Sequence, residues 1–88
     1  MLEKDIEAKV RVKAMAAGWL VYKFTSPSRR SVPDRLFIRG GRVAFVEFKR
    51  PGGTLTSGQV REIERLRRAG AEVRVCYSVE EACNALGL

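Results

Sequence analysis

Gly40-Gly41 constrains this chain more than any other feature, because it separates two short runs that pair in one register if it is their turn. Arg35-Leu36-Phe37-Ile38-Arg39 stands before it and Arg42-Val43-Ala44-Phe45-Val46 after it. Paired glycines supply the positive φ that a two-residue hairpin turn needs. With them as turn residues Arg39 faces Arg42, and counting outward sets Asp34 opposite Glu47. A slip of one residue would send Asp34 to the other face of the sheet.

Directly opposed residues have β-carbons roughly 4.5–5.5 Å apart, and like charges placed there repel unless something lies between them. A divalent cation meets that need. Mg²⁺ sits about 2.0–2.1 Å from oxygen ligands and is usually held by one or two carboxylates, with water and substrate phosphate completing the shell. Lys49 follows Glu47 by two residues, so in a strand it projects from the same face. Two acids and one amine therefore share one face at one end of a sheet.

The remaining chain reads as alternating helices and strands. Leu2, Ile6, Val10, Ala14 and Ala17 predict an amphipathic helix over residues 2–17, ended by Gly18. Residues 19–24 are rich in β-formers and read as a strand, with Trp19 as a core or interface aromatic. The polar, proline-bearing stretch 25–33 reads as an exposed loop. Arg50-Pro51-Gly52-Gly53 breaks the third strand, and Thr56-Ser57-Gly58-Gln59 matches a capping box that opens a helix with Val60, Ile63 and Leu66 as its apolar stripe. Gly70 stops that helix. Residues 72–77 alternate, with Val73, Val75 and Tyr77 inward, and Ser78-Val79-Glu80-Glu81 opens a last helix with Val79, Ala82, Cys83 and Leu86 inward. The order is αβββαβα, an α/β fold with a mixed sheet flanked by helices. Residues 42–77 should form a right-handed parallel βαβ unit, and the acids lie at the carboxyl end of its first strand, where ligands of open α/β sheets bind.

Charge and composition narrow the partners. Seventeen Lys and Arg against ten Asp and Glu leave a net charge of +7, which favours a polyanion. No apolar stretch approaches the roughly 20 residues that span a bilayer, and the chain opens on charged residues rather than a signal-peptide run, so no membrane partner is expected. The chain has no His and two cysteines, Cys76 and Cys83, which excludes a four-ligand zinc site of Cys and His within one chain and every His-based route to catalysis. Both cysteines read as small buried hydrophobes. With 88 residues the expectation is one domain over 1–88, small enough that dimerisation would help it.

Pro33-Asp34, Phe45-Val46-Glu47-Phe48-Lys49, then Pro51-Gly52-Gly53-Thr54-Leu55-Thr56 and Gln59, together resemble the VRR-NUC family of the PD-(D/E)xK nuclease superfamily. The resemblance covers most of the chain and implies the superfamily's restriction-endonuclease-like αβββαβα core with a four-stranded mixed sheet. It also implies that Asp34 and Glu47 hold Mg²⁺ or Mn²⁺, that the Phe48 carbonyl adds a ligand, and that Lys49 orients or activates water. Gln59 resembles the family's helix glutamine near the site, although its place in the capping box explains it without any catalytic role. Glu7 resembles the acid that the superfamily places on its first helix. Against that, Glu7 and Arg11 form an i, i+4 pair, and Glu3 could serve the same role.

Lys23, Arg29, Arg30, Arg35 and Arg50 surround the acids in sequence and are candidates for phosphate contact, with plain surface charge as the alternative. No helix-turn-helix or zinc-finger signature is present, so selectivity for DNA shape is expected over base readout. Small stand-alone members of the family occur in phages and bacteria. That likeness implies a homodimer acting on branched DNA such as Holliday junctions, in the cytoplasm of a bacterial or phage-infected host cell. Three rivals stay open: a DNA-binding module that kept the fold and lost turnover, an RNA-directed nuclease, and a structural domain of a larger assembly.

Overall fold

The computed structural model describes residues 1–88. Its elements are α1 (Glu3–Ala16), β1 (Leu20–Lys23), β2 (Arg35–Arg39), β3 (Arg42–Phe48), α2 (Ser57–Arg68), β4 (Glu72–Cys76) and α3 (Val79–Leu86). The strands form one sheet in the order β1-β2-β3-β4. The first two pairings are antiparallel and β3-β4 is parallel, so the sheet is mixed.

Gly40 and Gly41 have φ of 56° and 81°, and Arg39 faces Arg42 across the turn. Period-two alternation then decides the faces. Phe37, Ala44, Val46 and Phe48 point to one side, where Ile6, Val10 and Ala14 of α1 and Ala82 and Leu86 of α3 complete the core. Each large apolar side chain fully buried there contributes about 1.5–3 kcal/mol. Trp19 joins this core, edge-on to Phe37 with ring centroids 6.4 Å apart. The guanidinium carbons of Arg39 and Arg42 lie 5.2 and 5.6 Å from its ring centre. Arg42 also donates to both carboxylate oxygens of Glu72, at 2.9 and 2.6 Å, and to the Ala85 carbonyl at 2.6 Å. One arginine thus ties the hairpin turn to β4 and α3.

The opposite face carries Glu47 and Phe45, and α2 covers it beside β4. Two expectations change here. β4 does not alternate simply between core and solvent: Val73 and Cys76 are both buried on opposite faces, because α2 lies on one side of the strand and α3 on the other. On α2, Val60 is 40% exposed while Glu62 is buried, so the inner stripe of this helix is partly ionic. The last helix opens as expected on Ser78, whose hydroxyl accepts from Glu81 N–H at 3.0 Å. Its reciprocal bond lands one residue earlier, with Glu81 accepting from Tyr77 N–H at 3.3 Å.

Candidate active site

Asp34 immediately precedes β2, and the register Arg35↔Val46 sets it opposite Glu47. A side chain joins the two ends. Lys49 N–H donates to the Cys76 carbonyl in β4, so the backbone of Phe48 points the other way, toward β2. There the register brings Pro33, which has no N–H to give. Pro33 therefore leaves the Phe48 carbonyl without a ladder donor on that side, and the Asp34 carboxylate accepts the Phe48 N–H, at 2.9 Å to Oδ2.

Glu47 is 2% exposed. Its Oε2 accepts from Gln59 Nε2 at 3.3 Å and lies 4.0 Å from Lys49 Nζ. Its Oε1 is buried without a hydrogen-bond partner. Burial, and then the charge of Asp34, push the Glu47 carboxyl up to about 8, against a smaller opposing pull from Lys49. Glu3 at the start of α1 adds a further push in the same direction, whereas Glu7 is absent from these influences.

Gln59 serves two neighbours at once. Its side-chain oxygen accepts from Thr56 N–H at 3.0 Å and Thr56 Oγ1 accepts from Gln59 N–H at 3.1 Å, so the capping box is complete. The amide nitrogen of the same side chain is then free to reach Glu47. The helix start and the carboxylate are held by one residue.

The donor set fits a hard cation. No cluster of three or more His, Cys, Asp and Glu exists, so the chain alone does not build a cage. A carboxylate pair with one buried, unsatisfied oxygen suits Mg²⁺ or Mn²⁺, which keep waters and take phosphate oxygens as further ligands. Asp34 and Glu47 would hold the ion, with the Phe48 carbonyl beside them.

The other predicted positions separate into two groups. Glu7 pairs with Arg35 at 2.9 Å on the face that packs against α1, rather than with Arg11, and both side chains are largely covered. Arg29 pairs with the buried Glu62 at 3.0 Å. Lys23, Arg30 and Arg50 are exposed and carry no ion pair. The apolar stripe expected for α2 leaves Glu62 outside it, although its position three residues after Gln59 places it on the inward side of the helix, where it is buried.

Residues 12–80 match the profile of the VRR-NUC domain. The chain is 44% identical over 78 residues to the protein named "Putative nuclease p44" of Acyrthosiphon pisum secondary endosymbiont phage 1, covering 88% of this chain and 80% of that one. A solved structure described as a VRR_NUC domain superposes with a TM-score of 0.87 at 30% identity, over 97% of this chain and 94% of the other. Another, a VRR_NUC domain protein, gives 0.84 over 99% and 86%, and at 14% identity it speaks for the fold alone. These neighbours agree with a restriction-endonuclease-like core around the mixed sheet. The chain belongs to the VRR-NUC family of nuclease domains.

Proposed function

We propose that residues 1–88 form a single nuclease domain: a Mg²⁺- or Mn²⁺-dependent, structure-selective endodeoxyribonuclease that acts as a homodimer on branched DNA such as Holliday junctions. The observation that carries this reading is the buried, unpartnered Oε1 of Glu47 beside Asp34, with Lys49 and Gln59 on its other oxygen. A buried carboxylate in that state is costly unless a cation completes it.

When bound, such a cation acidifies water and offsets charge on the phosphoryl oxygens. Asp34 and Glu47 would hold the ion through their carboxylates at the two strand ends. Gln59 holds Oε2 of Glu47 and leaves Oε1 without a protein partner. Lys49 Nζ, with its side chain only 11% exposed, orients the attacking water in line with the leaving oxygen and stabilises the negative charge that develops on the phosphate. Lys23, Arg30 and Arg50 contact flanking phosphates, joined by Arg29 and Arg35 at the edges of their ion pairs.

The homodimer is supported by the sheet face that α2 leaves open. Leu20 and Tyr22 of β1 and Val43 of β3 lie on that face and are 55%, 54% and 45% exposed. A second copy related by a twofold axis would cover them and present two sites for paired cuts.

The test is cleavage of a four-way junction, a flap, a duplex and a single strand, each with Mg²⁺, Mn²⁺ or excess chelator. Junction cutting that needs the metal and disappears in Lys49→Ala is expected. Cleavage that persists in chelator, or survives Lys49→Ala, overturns the mechanism, and a preference for matched RNA overturns the substrate.

A further inference from the structure

Between the loop after β1 and the outer side of α2 lies a groove of about 750 Å³ with no apolar lining residue. Arg29 and Arg30 line it from the loop, and Arg61, Arg65 and Arg68 from the helix. The last three recur at i, i+4 and i+7, so they form one stripe along α2. At 1.5 Å per residue the stripe runs roughly 10 Å.

The groove is built rather than incidental. Ser31 holds a left-handed φ of 65°, rare for a residue with a side chain, and it rests against Gly58 in the first turn of α2. A β-carbon at Gly58 would stand 2.8 Å from Ser31 Oγ, so the glycine leaves room for the serine hydroxyl in its present orientation. The Arg29–Glu62 pair, whose carboxylate side chain is 7% exposed, fastens the same loop one turn further along. Glu62 and Glu64 are the only acids lining the groove. Glu62 is occupied by Arg29, and Glu64 makes an exposed 3.7 Å contact with Arg68. Arg30, Arg61 and Arg65 pair with no carboxylate.

We infer that this groove binds the phosphodiester backbone of the DNA strand that leads into the Asp34–Glu47 site, with Arg61, Arg65 and Arg68 as phosphate ligands. Continuity carries the assignment, because Glu62 of the groove lining stands three residues from Gln59 on the same face of α2, and Gln59 touches Glu47. A stripe of roughly 10 Å matches about three nucleotide steps at 3.4 Å of rise per strand. With five arginines and no hydrophobic residue in its lining, the groove fits a phosphate backbone and lacks the apolar side chains that a lipid surface would require. The inference rests on the nuclease reading for its ligand.

The test measures binding of a short fluorescent DNA duplex in excess chelator, as a function of salt. It compares the wild-type chain, Arg61→Gln/Arg65→Gln/Arg68→Gln, and a control of equal charge loss on α1 across the sheet, Lys4→Gln/Lys9→Gln/Lys13→Gln. The slope of log affinity against log salt should shrink by about 2 to 3 in the arginine variant, with affinity at least about tenfold weaker, while the control changes the slope by less than about 1. The corresponding Arg→Lys triple variant, which keeps the charge, should keep the slope and guards against a folding artefact. Equal slopes in the arginine and control variants, or no binding by the wild type at low salt, overturn the groove. Metal-dependent cleavage of the same duplex and of a junction is read separately. Arginine-dependent binding without cleavage sinks the nuclease reading alone, and cleavage with arginine-independent binding sinks the groove alone.

Discussion

The carboxylate of Asp34 accepts the backbone N–H of Phe48 at 2.9 Å, beside the ladder position where Pro33 has no N–H to give. One side chain therefore closes the end of the hairpin and supplies half of the proposed cation site. Those roles come apart by substitution. Asp34→Asn keeps an oxygen for Phe48 and loses the charge, so it should fold with near wild-type stability and cut DNA more than about 100-fold more slowly. Asp34→Ala also strands the Phe48 N–H and should lose about 1–3 kcal/mol in urea unfolding. Equal stabilities for the two variants would contradict the structural half of this account.

Glu47 carries the sharpest pH dependence. Its carboxyl is raised to about 8 from an ordinary 4.5, so the folded chain holds a proton that the unfolded chain releases between those values. Stability of the metal-free protein should therefore be greatest at the acidic end of that window and fall as pH rises through it. Glu47→Gln should abolish this loss and exceed the metal-free wild type in stability near the upper end, while losing activity. Mg²⁺ should stabilise the wild type there and leave Glu47→Gln unmoved, which paired unfolding curves would read directly.

Gln59 joins a helix cap to the site, and two substitutions separate those functions. Gln59→Glu preserves the capping box but turns a third carboxylate toward Glu47, so metal-free stability should drop and the metal concentration needed for half-maximal cleavage should rise. Gln59→Ala removes both contacts and should cost about 1 kcal/mol through the cap alone. Melting curves with and without Mg²⁺, together with metal titrations of cleavage, separate the two.

Glu72 governs the acid limb. Hydrogen bonds from Arg42 and then Arg74 hold its carboxyl down at about 2, against the opposing effect of burial. That stabilisation is present above about 4.5 and fades as pH falls toward 2. Glu72→Gln should reduce neutral-pH stability by about 1 kcal/mol, since solvent screens the partly exposed pair, and flatten the acid dependence of unfolding. An unchanged acid limb would place the sensitivity elsewhere.

Much of this molecule was legible from local chemistry. The two glycines allow only a tight turn, a tight turn admits one register, and period two then carries Asp34 to Glu47 and Lys49 to the same face. Apolar spacing located α1, and hydroxyl caps located the starts of α2 and α3. These features are readable because their causes act over a few residues. Residues far apart in the chain were decided differently. Glu7 turned to Arg35 because α1 packs on the face opposite Glu47, and Glu62 was buried because Arg29, 33 residues away, folds back over α2. The groove beside it forms where the loop at Ser31 packs against Gly58 of α2. The sequence alone determined which carboxylates oppose one another, since backbone geometry sets the register. Only the tertiary structure decided which charges are neutralised by partners and which stay open to a ligand, since that depends on which helix covers which face of the sheet.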